Sequence, residues 1–122
     1  MKIRTTVLAL LVLATTSSLA RALFHARLER AVPAIDGTVT APPIAIQLWF
    51  NEMVTAKLTT ATIVTPDSTQ VAAVKFIATP DSLNVIGPVG TVLEPGDYRV
   101  LWRTMSIDGH AIRGEYKFRY VR

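Results

Sequence analysis

Ile112-Arg113-Gly114-Glu115-Tyr116-Lys117-Phe118-Arg119-Tyr120 alternates without a break. Ile112, Gly114, Tyr116, Phe118 and Tyr120 fall on one side of an extended chain, and Arg113, Glu115, Lys117 and Arg119 on the other. A period of two with one apolar and one charged side marks a strand with one face in a core and one in water. Upstream, Tyr98 to Met105 repeats the pattern, with Trp102 in step with Val100 and Thr104 and so directed inward. Glu94-Pro95-Gly96-Asp97 before it reads as a tight turn.

Further back, the segments stay short and rich in β-branched residues. Leu83–Ile86, Val71–Ile77, Leu58–Val64 and Ile44–Phe50 read as strands, the last with Ile44, Ile46, Leu48 and Phe50 on one face and Trp49 on the other, partly exposed. Thr79-Pro80-Asp81-Ser82 and Thr65-Pro66-Asp67-Ser68 punctuate them as turns. No segment after residue 22 carries a strong helical pattern. Six or seven strands in about 100 residues predict an all-β fold, an antiparallel sandwich or Greek-key barrel.

The first 22 residues read as an export leader rather than fold. Met1-Lys2-Ile3-Arg4 is basic, Val7–Ala14 is an apolar run, and Ala20-Arg21-Ala22 is a small-residue cleavage signature. Cleavage after Ala22 leaves residues 23–122 as one domain; cleavage after Phe24 is the alternative. The whole chain has 13 Lys plus Arg and 9 Asp plus Glu, a formal +4. Lys2, Arg4 and Arg21 belong to the leader, so the remainder stands at +1. That balance, with no basic run interleaved with aromatics, gives no footprint for nucleic acid.

There is no cysteine, which excludes disulfides, thiolate metal sites and cysteine nucleophiles. Only two histidines are present, His25 and His110. Phosphate loops and hydrolase motifs are missing. The polar cluster that remains is Ser106-Ile107-Asp108-Gly109-His110, between the two best strands. Asp108 and His110 lie two apart and leave an extended chain on the same side, which makes half of an N,O site suited to copper(II) or zinc. The same residues also read as a plain hairpin turn, where Asp-Gly is a favoured pair. His25 reaches His110 if the first strand lies beside the last ones. Glu52, at the end of the Ile44–Phe50 strand, falls near the same rim.

The chain resembles the CopC family of copper-resistance proteins. The resemblance rests on His25-Ala26, Ala31-Val32-Pro33-Ala34 with Asp36-Gly37, and Leu48-Trp49-Phe50-Asn51-Glu52. Leu93-Glu94-Pro95-Gly96-Asp97-Tyr98-Arg99-Val100, Trp102-Arg103, Ser106-Ile107-Asp108-Gly109-His110 and Gly114-Glu115-Tyr116-Lys117-Phe118 complete it. It implies an immunoglobulin-like Greek-key sandwich of about seven strands in the bacterial periplasm. It also implies one copper(II) ion bound by His25, through amine and imidazole, with Asp108 and His110, and with Glu52 nearby. A role in copper resistance, homeostasis or delivery to an inner-membrane copper transporter follows from it; no catalysis is expected, and with neither room nor an obvious flat aromatic face, no polymer substrate.

The chain departs from the pattern twice. Apart from Met1 its methionines are Met53 and Met105, too few for a methionine-rich copper(I) loop. Leu23-Phe24 also stands between the cleavage signature and His25. The rival readings are a copper-dependent oxidative enzyme using a histidine brace, and a metal-free adhesion or assembly module.

Overall fold

The computed structural model describes residues 26–122. Its strands are β1 (Leu28–Val32), β2 (Gly37–Val39), β3 (Ala45–Phe50), β4 (Thr60–Val64), β5 (Gln70–Lys75), β6 (Ile77–Ala78), β7 (Asn84–Pro88), β8 (Gly96–Met105) and β9 (Ala111–Tyr120). They form two sheets, ordered β1-β3-β7-β6 and β2-β9-β8-β4-β5. The β-sandwich expected from the sequence is therefore the observed architecture.

Alternation decides which residues enter the space between the sheets. Ile46, Leu48 and Phe50 from β3 and Val85 from β7 meet Ile63, Val74 and Val100 from the other sheet, all but sealed from water. Tyr116, Phe118 and Tyr120 are buried on the predicted face of β9. Phe50 meets the edge of Trp102 at 5.4 Å between ring centres, and Tyr98 stacks on Phe118 at the same distance. Trp102 is buried and Trp49 half-buried, as read, with the Arg30 guanidinium 4.0 Å above the Trp49 ring. Tyr98 also donates its hydroxyl hydrogen to the carbonyl of Glu94, which pins the Leu93–Gly96 turn under β8. Burial pushes that phenol's pKa upward.

Several boundaries differ from the sequence reading, each for a local reason. Ile44 is 85 % exposed rather than inward, because β3 begins one residue later and Ile44 spends its carbonyl on Val89 N–H. The expected Val71–Ile77 strand breaks at Phe76: β5 belongs to one sheet, β6 to the other, and the chain crosses between layers there. Leu58 ends a 3₁₀ turn, Ala56–Leu58, and is half exposed, so β4 starts at Thr60. Leu83 closes the turn before β7. Gly96 and Asp97, read as turn, already pair with Tyr120 and Arg119 in β8. Pairing is antiparallel throughout except β2, which runs parallel to the last three residues of β9.

The first strand also takes a different place from the one supposed. β1 hydrogen-bonds to β3, in the sheet opposite β9. Any approach of the N-terminal residues to the last hairpin is therefore made across the sandwich, not along one sheet.

Candidate metal centre

β8 and β9 are ten residues each and stay in register up to Met105 opposite Ala111. The loop that joins them is closed by two backbone bonds. Ser106 N–H donates to the His110 carbonyl and Gly109 N–H to the Ser106 carbonyl, both at 3.0 Å. Gly109 sits at φ +88°, a conformation costly for any side chain and needed to close so short a hairpin. The turn reading and the metal reading of this motif are thus compatible, since the turn is what brings Asp108 and His110 together.

His110 Nδ1 lies 2.9 Å from Asp108 Oδ2. The other carboxylate oxygen accepts the Ser106 hydroxyl hydrogen and, at 3.3 Å, the His110 amide. Ser106 itself is buried. It stands under the loop because it pairs with Val54 across a single antiparallel bridge, which also draws residues 51–55 alongside the hairpin base. The Ser106 hydroxyl first, then the His110 ring, holds the Asp108 carboxyl at a pKa of about 2. Metal binding at neutral pH therefore displaces no proton from Asp108, but Nδ1 must give up the hydrogen it shares with Oδ2 before it can bind an ion.

The fit of a metal to this pair can be tested on distance. Imidazole nitrogen and carboxylate oxygen bind at about 2.0 Å, so two cis ligands at a right angle stand about 2.8 Å apart. The observed 2.9 Å is the length of an ordinary hydrogen bond and is also compatible with that separation. One nitrogen and one oxygen suit copper(II) or zinc, both exposed enough for an ion to arrive from solvent. Two donors do not make a centre, and among the described residues no group of three or more His, Cys, Asp or Glu converges. Glu52, half-buried in the bend after β3, does not join the pair as a third ligand.

His25 lies outside the described residues, but the chain that follows it is well fixed. Ala26 is buried. Arg27 N–H donates to Asn51 Oδ1 at 2.6 Å, and Asn51 N–H donates back to the Arg27 carbonyl at 3.2 Å. Ala26, Arg27 and Leu28 line one side of a groove of about 360 Å³, with Trp102, Ile112, Arg113 and Gly114 among the residues opposite. The residue after His25 thus sits against the start of β9, one of the two strands that carry the hairpin.

Sequence reasoning passed over Ser106 and Asn51 as individuals. A hydroxyl two residues before a carboxylate is a recognisable local pairing, so Ser106 was legible in principle. Asn51 acts across 24 residues and had no local signal.

Trp102 supports the hairpin from below. It pairs directly with Gly114, where an added Cβ would lie 2.5 Å from its ring. The missing side chain is what lets the indole lie flat against β9.

A profile of the CopC domain matches residues 28–121. The chain belongs to the CopC family. It is 36 % identical over 95 residues to Protein YobA of Escherichia coli K12, covering 77 % of each chain. It is 34 % identical over 104 residues to Copper resistance protein C of Escherichia coli, covering 80 % of this chain and 82 % of that one. Its fold matches the crystal structure of CopC from Methylosinus trichosporium OB3b with a TM-score of 0.72, at 26 % identity, over 79 % of this chain and 93 % of that one.

Proposed function

We propose that this CopC-family chain is a periplasmic copper(II)-binding protein of copper resistance or homeostasis, taking copper as cargo and catalysing nothing. The observation that carries the reading is the 2.9 Å pair of Asp108 Oδ2 and His110 Nδ1, set at cis-ligand spacing on a rigid hairpin. The name of its relative Copper resistance protein C supports the same reading. In it, His25 supplies the remaining nitrogen donors, as amine and imidazole if processing makes it the first residue. Glu52 is a neighbouring carboxylate, and the acceptor or donor of the metal is an inner-membrane copper transporter.

The test uses protein recovered after export. Its intact mass gives the N-terminus, Leu23 or His25, and a competition titration compares copper(II) with zinc. One copper(II) per chain, bound far more tightly than zinc and with nitrogen couplings in its EPR spectrum, is the expected result. Equal affinity for the two metals, or tighter binding of copper(I), would overturn the reading. So would an EPR signal of four in-plane nitrogens that survives His110→Ala, since that places copper on the N-terminal segment alone.

A further inference from the structure

The outer face of the five-stranded sheet carries more positive charge than residues 26–122 do together. Residues 26–122 have a net charge of +1. The outward side chains of β8 and β9 alone include Arg99, Arg103, Arg113, Lys117 and Arg119 against Asp97 and Glu115. Both acids are engaged: Arg99 meets Glu115 at 3.2 Å and Arg119 meets Asp97 at 2.6 Å. Arg99 also holds Ser68.

What makes no ion pair within 4.0 Å forms a row, whose far member Lys117 lines a cavity with Asp36, Asp97 and Glu115. Arg103 stands directly opposite Arg113, and through Thr60 the row continues to Lys75 on β5, all four residues exposed. Lys117 lies four residues further along β9. Among the described residues none of Lys75, Arg103, Arg113 and Lys117 has a carboxylate within 4.0 Å. Like charges directly opposite on a sheet destabilise it, so the Arg103–Arg113 pair costs the isolated domain stability.

We infer that this face docks a carboxylate-rich segment of the protein with which copper is exchanged. The inference rests on the copper-carrier reading and adds the chemistry of the partner. Strands lie about 4.8 Å apart, so the row from Lys75 to Arg113 is roughly 14 Å wide, and the step to Lys117 is roughly 13 Å long. That matches carboxylates four residues apart on an extended chain. Paired guanidinium groups suit carboxylates, which they bind in forks. The row sits two residues from the end of β8 and from the start of β9, about 7 Å from the metal hairpin along the strands. A partner held there has its own ligands within reach of the cargo.

An anionic lipid surface fits less well. Asp97 and Glu115 would be pressed against like-charged headgroups, and Leu101, 37 % exposed, is the large apolar side chain at the centre of the face.

The experiment titrates ¹⁵N-labelled, metal-free protein with an octaglutamate peptide at low salt. Amide shifts confined to Lys75, Thr60, Arg103, Arg113, Lys117 and their neighbours are expected, weakening as salt rises. Arg103→Gln with Arg113→Gln should weaken peptide binding about tenfold or more, while Arg30→Gln with Arg122→Gln, which removes the same charge elsewhere, should not. The first pair should also melt no lower than wild type, which shows that it folds. Shifts scattered over the surface, or equal loss in both pairs, would overturn the inference. Binding to phosphatidylglycerol vesicles through these residues without binding of the peptide would overturn it as well. Copper(II) affinity is measured separately. A protein that binds peptide at this row but no copper(II) keeps the docking surface and loses the carrier reading.

Discussion

Ser106 and Asp108 are joined by a hydrogen bond from the buried serine hydroxyl to a carboxylate that is otherwise open to solvent. The bond favours the charged carboxylate and orients it toward His110, so a residue outside the proposed ligand pair fixes the state of one inside it.

This sets a pH dependence in the metal-free protein. The folded Asp108 pKa, about 2, lies below the ordinary carboxylate value. A depressed pKa stabilises the native state above the unfolded value, about 3.9, and the contribution fades as pH falls toward 2. A carboxyl ¹³C NMR titration should place the Asp108 midpoint near 2. In Ser106→Ala it should move up toward the ordinary value; an unchanged midpoint would mean that the serine does not hold the charge.

Copper(II) bound by the native state alone should raise the melting temperature. At a free concentration of 100 times Kd the gain is about 2.7 kcal/mol, on the order of 10–20 °C for a domain this size. His110→Ala should abolish the shift at that concentration. Asp108→Asn should weaken binding, because it removes a negative charge that offsets the dication. Calorimetric melting with and without copper checks both, and a full shift in His110→Ala would exclude this hairpin as the site.

The Arg27–Asn51 clamp predicts a local effect. Asn51→Ala removes the acceptor of the 2.6 Å bond and should cost about 1 kcal/mol. Hydrogen exchange should speed up most at the Arg27 amide. Copper affinity should fall with it, since the clamp lies two residues from His25, and Asn51→Asp, which keeps an acceptor, should restore both.

Gly114→Ala tests the support under the hairpin. A methyl group there would stand 2.5 Å from the Trp102 ring, so β9 or the indole must shift, at about 1–3 kcal/mol. The denaturation midpoint should drop and the near-ultraviolet signal of Trp102 should change. An unaltered midpoint would show that the ring moves freely.

How much of this was legible depends on the range over which each residue acts. β9 and β8 alternate cleanly because one face of each is core and the other water, and the sequence records that directly. β1 does not alternate: Leu28-Glu29-Arg30-Ala31-Val32 buries only Ala31 fully, and its bulge between Leu28 and Arg30 breaks the period. β2 is three residues long and is defined by a partner at the far end of the chain. Phe76 changes sheets inside what reads as one β-branched run. At the site, Asp108 and His110 stood out because they lie two apart. The Val54–Ser106 bridge and the Asn51 clamp arise from tertiary contact, and no local pattern announces them.

The parallel pairing of β2 with the end of β9 joins residue 37 to residue 118, whereas the β8–β9 hairpin joins neighbours through a short loop. Closing a long loop costs more chain entropy and is slow, while a hairpin forms within microseconds. The order of assembly expected from this is hairpin first and N-terminal third last. A chain emerging unfolded from an export channel would then carry Asp108 and His110 already paired before Ala26 and Arg27 dock across the sandwich. On the proposed copper-carrier reading, two candidate donors would be in place early and the N-terminal ones would join only at the final folding step.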